Sequence, residues 1–101
     1  MKKPPKSIEE IKAVLKEHKD EVIRKYRVTE LGIFGSFARG EQKNRSDIDI
    51  LVKFDGLPDI FKYIELEDYL KKLLGKKVDL VRKEAIRPEL KKRILKETIY
   101  L

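Results

Sequence analysis

Aspartate and isoleucine alternate in Asp47-Ile48-Asp49-Ile50, and ten residues earlier, across Phe37–Ser46, a Gly35-Ser36 pair ends another apolar run. Successive side chains on a strand point to opposite faces. Asp47 and Asp49 therefore share one face, about 6–7 Å apart along the backbone, while Ile48, Ile50 and Val52 point into a core. A fold that accepts this strand must pack one face of its sheet and leave carboxylates at one end of the other. The Gly-Ser pair must then serve as a turn between a strand and a following helix.

Two carboxylates on one strand face repel each other and cost stability unless positive charge sits between them. Magnesium suits the position, because it prefers carboxylate oxygens together with substrate phosphates. Asp79, in Val78-Asp79-Leu80-Val81, is the candidate third ligand. Its apolar neighbours predict a buried strand, in which an acid needs a partner or a task. A pair of such ions, about 3.5–4 Å apart, stabilises the attacking and leaving oxygens of a phosphoryl transfer. At Gly35 a phosphate can approach the backbone, and the Ser36 hydroxyl with the helix N-terminal amides can hold β- and γ-phosphates. Arg39, Lys43 and Arg45 lie between the two halves of this site, and Arg39, three residues after Ser36, is the first choice to offset phosphate charge. Taken singly, a Gly-Ser pair carries almost no signal, an Asp-x-Asp triplet is commonly a turn or a solvated strand edge, and an acid in an apolar strand is commonly structural or simply exposed at a strand end. Their order and spacing together point to a metal–nucleotide site.

The rest of the chain supplies a frame. Residues 1–6 read as a flexible lead-in. Ser7-Ile8-Glu9-Glu10 has capping-box spacing, and Ile8, Ile11, Val14, Leu15, Val22 and Ile23 predict a helix burying one face up to about Lys25. His18, the single histidine, lies at the edge of that stripe and reads as packing. Strands are predicted at Val28–Phe34, Ile48–Phe54 and Lys77–Arg82. A helix is predicted from Pro58, suited to a first helical position, to Leu74, ended by Gly75. It carries Ile60, Phe61, Ile64, Leu70, Leu73 and Leu74. Pro88 opens a last helix with Leu90, Ile94 and Leu95 on one side, and Thr98–Leu101 reads as a short strand. Tyr63 and Tyr69 read as helix packing or partner contact, and Tyr26 and Tyr100 as closing the core.

Composition narrows the classes. At 101 residues the chain is expected to form one domain. Lys and Arg outnumber Asp and Glu by 25 to 18, a net charge of +7, which favours anionic partners, although the signs are interleaved as on an ordinary soluble surface. There is no cysteine, so disulfides and zinc–thiolate sites are excluded. No apolar run approaches the ~20 residues of a membrane span, and Met-Lys-Lys-Pro-Pro-Lys has no apolar stretch behind it as a secretory signal would. A cytoplasmic protein without membrane contact is the expectation.

Gly35-Ser36, ten residues, then Asp47-Ile48-Asp49 resembles the DNA polymerase beta-like nucleotidyltransferase superfamily. More narrowly, Gly35-Ser36-Phe37-Ala38-Arg39-Gly40 followed by Ser46-Asp47-Ile48-Asp49-Ile50-Leu51-Val52 looks like the minimal nucleotidyltransferases, the MntA-type antitoxins. The likeness extends over nearly the whole chain, including Val78-Asp79-Leu80 and Ile99-Tyr100. It implies an α+β, two-layer fold with a small mixed sheet and helices packed mainly on one face. It implies transfer of AMP from ATP, with magnesium, to a tyrosine of a HEPN-domain RNase toxin in a hetero-oligomer. By position, Asp47, Asp49 and Asp79 would be catalytic metal ligands, and Gly35 and Ser36 would bind the triphosphate. Larger members carry an additional helical domain; in a chain this short the cleft is expected to be open or completed by a partner, which suits a protein acceptor. Two other readings compete with transfer to a toxin: neutralisation by binding alone, and nucleotidyl transfer to RNA or a small molecule. The positive charge favours RNA mildly, and the missing second domain argues against both of those acceptors.

Overall fold

The computed structural model describes residues 3–101, Met1 and Lys2 lying outside the described residues. Helix α1 (Ile8–Tyr26) is followed by strand β1 (Val28–Phe34), a single helical turn α2 (Ser36–Arg39), β2 (Ile48–Phe54), α3 (Ile60–Leu74), β3 (Val78–Arg82), α4 (Pro88–Glu97) and the two-residue strand β4 (Ile99–Tyr100). The Ser7 hydroxyl accepts the Glu10 N–H at 3.2 Å and so caps α1 as its spacing predicts. The reciprocal bond is displaced by one residue: the Glu10 carboxylate accepts the Lys6 N–H at 2.6 Å. The predicted lead-in falls partly on the undescribed residues. Its described part is anchored, with Pro5 buried and the Lys6 carbonyl accepting from Gln42 Nε2 at 2.9 Å.

The four strands lie in the order β3-β2-β1-β4. β1 runs antiparallel to both β2 and β4, whereas β2 and β3 are parallel and are joined by α3 as a crossover. One sheet face presents Ile33, Ile48, Ile50, Val52 and Leu80 to α1 and α3, which bury Ile11, Leu15 and Val22 and Leu66, Leu70 and Leu74 against it. The other face carries Phe34 and Leu51, covered by Ile86 and by Leu90, Ile94 and Leu95 of α4. Helices thus pack mainly on one face of a mixed sheet, and α4 covers only part of the second. That partial cover decides where a site can open.

Several packing expectations change. Ile23 is 37% exposed because the stripe of α1 runs through Val22 to Tyr26, one residue out of phase with it. The Asp59 side chain accepts the Phe61 N–H at 2.8 Å, so α3 begins after Asp59 and Pro58 stays outside it. Ile60, Phe61 and Ile64 are exposed, since the buried face of α3 is the Leu66-Leu70-Leu74 row. Tyr26 closes the core as expected, but Tyr100 is 44% exposed. Strand alternation turns Leu101 toward the main core, and Tyr100 instead lies beneath the Lys83 ammonium. Tyr69 packs against Tyr26, and the half-buried Tyr63 donates its hydroxyl to the Leu80 carbonyl. His18 is half-buried, its Nδ1 within 3.0 Å of the Val14 carbonyl oxygen. Among the described residues no helix is long and apolar enough to cross a membrane.

Candidate active site

Register brings the acids together. Asp49 pairs with Phe34 across the antiparallel ladder and with Asp79 across the parallel one. Residues paired in register share a face, so Asp79 stands beside Asp49, and Asp47, two positions earlier on the same chain, has the same parity. All three lie on the sheet face that α4 covers incompletely. Asp79 is exposed rather than embedded. Val78 and Leu80 are buried beneath α3, and the alternation that buries them turns Asp79 outward on the edge strand.

The middle acid carries the electrostatic load. Asp49 is half-buried, and its carboxyl is pushed up from 3.8 to about 6, first by burial and then by the negative charges of Asp79 and Asp47. Arg39 acts in the opposite sense, and Glu97 adds a further upward push. Among the described residues no three acidic, histidine or cysteine side chains converge tightly enough to form a ready metal cage. The donor set nonetheless fits a hard divalent cation: oxygen ligands share one face, and the central one is disfavoured as an anion until positive charge arrives.

The other half of the site is a turn. β1 ends at Phe34, and Gly35, at φ 76° and ψ −154°, redirects the chain into α2. A side chain other than hydrogen is strained in that conformation, and a Cβ on Gly35 would overlap the Asp49 carboxylate, coming within 2.9 Å of its Cγ. The turn is therefore packed directly on the acidic strand. Ser36 opens α2, half-buried, and Arg39 closes it. Arg39 contacts two carboxylates, Glu41 Oε2 at 3.2 Å through Nε and Glu97 Oε2 at 3.0 Å through Nη1. The hydrogen bond to Glu41 is the main influence raising its guanidinium above the ordinary value. Lys43 and Arg45 are exposed on the connecting loop.

Two residues at this site escape the sequence reading. Glu97, at the end of α4, accepts the Gly35 N–H at 2.6 Å; a contact across 62 positions leaves no trace in spacing or motif. Lys76 donates to the carbonyls of Asn44 and Ser46 at 3.0 and 2.9 Å, fixing the loop immediately before Asp47. Its position just after Gly75 marked only a helix end.

A nucleotidyltransferase-domain family model matches residues 15–101. The chain is 46% identical over 95 residues to the protein adenylyltransferase MntA of Thermococcus cleftensis, covering 94% of this chain and 96% of that one. It is 55% identical over 97 residues to a Methanocaldococcus jannaschii protein described as a candidate protein adenylyltransferase, covering 95% and 99%. A solved structure described as a candidate minimal nucleotidyltransferase matches with a TM-score of 0.81 at 31% identity, covering 95% of this chain and 97% of that one. A toxin–antitoxin crystal structure with AMP-PNP matches with a TM-score of 0.69 at 26% identity, covering 83% and 69%. Sequence match and fold agree over most of the length, and the chain belongs to the nucleotidyltransferase domain family, as an enzyme of the minimal kind.

Proposed function

We propose that this nucleotidyltransferase transfers AMP from ATP to a tyrosine hydroxyl of a HEPN-domain toxin, with magnesium, and so acts as the antitoxin of a toxin–antitoxin pair. The observation that carries the reading is the pairing of Asp49 with Asp79 in register, directly beneath the Gly35 turn. The adenylyltransferase named among its relatives and the toxin–antitoxin structure it resembles support the protein acceptor.

The chain's own groups divide the work. Gly35, Ser36 and Arg39 hold the β- and γ-phosphates, which leaves the α-phosphorus over the carboxylate row. The tyrosine oxygen forms a bond to the α-phosphorus as the bond from that phosphorus to the α–β bridging oxygen breaks, and pyrophosphate leaves with the electron pair. The hydroxyl proton passes to a carboxylate, and Asp79, exposed at the sheet edge, is open to an acceptor as large as a folded protein. Asp47, Asp49 and Asp79 would hold the magnesium ions, which when bound neutralise phosphate charge and activate the incoming oxygen.

The test is intact-mass and peptide-mapping mass spectrometry of a candidate HEPN-domain toxin after incubation with the enzyme, ATP and magnesium. The expected result is a gain of whole AMP units on a tyrosine, absent with Asp47→Asn/Asp49→Asn. Label appearing on tRNA or an aminoglycoside and not on the toxin overturns the acceptor. Full protection of cells by the double variant overturns catalysis as the means of neutralisation, in favour of binding alone.

A further inference from the structure

Glu97 closes α4 on the sheet face that carries the aspartates, and its side chain is 15% exposed. One oxygen, Oε2, accepts both the Gly35 N–H at 2.6 Å and the Arg39 Nη1–H at 3.0 Å. These are two of the donors assigned above to the nucleotide's phosphates. A backbone amide has a single hydrogen to give, so Gly35 cannot serve Glu97 and a phosphate oxygen at full strength together. Arg39 has five donors and can be shared. Glu97 also lies close enough to Asp49 to raise its carboxyl, and so adds negative charge where an anionic tail must enter.

We infer that Glu97 is a resident anion: in the nucleotide-free enzyme its carboxylate holds the Gly35-Ser36 turn and Arg39, and the triphosphate must displace it to bind. The inference rests on the triphosphate reading of that turn. The displacement is local. α4 stays docked through Leu90, Ile94 and Leu95, and the Thr98 N–H and hydroxyl both remain on the Ile94 carbonyl, so only the Glu97 side chain has to swing away. The carboxylate keeps the turn formed without ligand and weakens nucleotide affinity in return.

Calorimetric titration of the full chain with a non-hydrolysable ATP analogue and magnesium tests this in wild type, Glu97→Ala, Glu97→Gln and Ser36→Ala. Removing the competitor in Glu97→Ala is expected to lower the Kd about three- to tenfold, the worth of one net hydrogen bond. Glu97→Gln keeps an acceptor without the charge and is expected to tighten binding by less. Should the alanine variant not fold, the sign of the change in the glutamine variant decides. Unchanged or weaker binding in the Glu97 variants, with Ser36→Ala weakened, overturns the inference and leaves Glu97 as a positioning residue for Arg39. Unchanged binding in Ser36→Ala, whatever the Glu97 variants do, removes the tail from this turn and overturns the triphosphate reading itself.

Discussion

Gly35 and Asp49 leave no room for a side chain between them. The glycine backbone rests on the aspartate carboxylate, so that an added Cβ would overlap Oδ2 and stand 2.9 Å from Cγ. Gly35→Ala must therefore move either the turn proposed to hold phosphates or the central acid, from a backbone angle of φ 76° that already disfavours alanine. A displacement of about 1 Å in a transfer site costs on the order of 10²-fold in rate, and the strain adds about 1–3 kcal/mol. The expected result is a protein that folds with a lowered Tm and has lost transfer activity by about two orders of magnitude, read by denaturation and by transfer of labelled AMP.

Asp49 makes stability depend on pH in a direction opposite to that of a salt-bridged acid. Its carboxyl ionises near 6 in the folded chain against 3.8 ordinarily, so the folded state holds the proton more tightly than the unfolded one. The penalty of ionising it in place is absent below about pH 4, grows as pH rises, and is complete above about pH 6. Discounted for partial exposure, it amounts to about 1 kcal/mol, or ~4–8 °C in Tm for a domain of this size. Asp49→Asn removes it. Without divalent cation, the variant is expected to melt above wild type at about pH 7.5 and to coincide with it near pH 4. Magnesium is expected to raise the wild-type Tm at about pH 7.5 and not that of Asp49→Asn. A Tm difference that does not change with pH would show that Asp49 carries no such load.

Asp79→Asn separates the edge acid from the fold. The side chain is exposed, and the strand is held by Val78 and Leu80 beneath α3, so Tm is expected to shift by less than about 0.5 kcal/mol equivalent. Loss of the proposed metal ligand and base is expected to cost about 10²–10⁴-fold in rate. Activity falling with stability unchanged supports the metal and base role, and retained activity removes Asp79 from the site.

Local signals carried the frame because each element keeps its own rule. The predicted strands Val28–Phe34 and Ile48–Phe54 appear with those bounds, since each β-prone run ends at a turn, Gly35 for one and Asp55-Gly56 for the other. The two-faced strand that carries Asp49, with Asp47 immediately before it, was legible from the alternation in Asp47-Ile48-Asp49-Ile50. Asp79 was legible as a candidate, with burial and exposure at a strand end both open, because apolar neighbours along a chain do not reveal whether the strand lies at a sheet edge. Ile60, Phe61 and Ile64 fit helical spacing equally well on a covered or an open face, and only packing separates the two. Glu97 was invisible: its partners Gly35 and Arg39 are brought to it by the docking of α4, which depends on the whole sheet.

Lys76 offers the sharpest separation of positioning from chemistry. It bonds the carbonyls of Asn44 and Ser46 and lies 5.8 Å from the centroid of the buried Phe37 ring, tying the end of α3 to the loop that delivers Asp47. Lys76→Ala leaves every acid in place but frees that loop. Two charge-assisted bonds, one of them partly buried, are worth about 1–2 kcal/mol together at this exposure, so a drop of that size is expected in stability. The looser Asp47 is expected to lower kcat by about tenfold and to steepen the dependence on magnesium, because the proposed ligand must then be ordered by the ion instead of the lysine. Lys72→Ala, an exposed residue of α3 whose ion pair is with Asp68, serves as the charge control and is expected to change neither quantity. Equal losses in both variants would assign the effect to net charge and would release Lys76 from its part in holding Asp47.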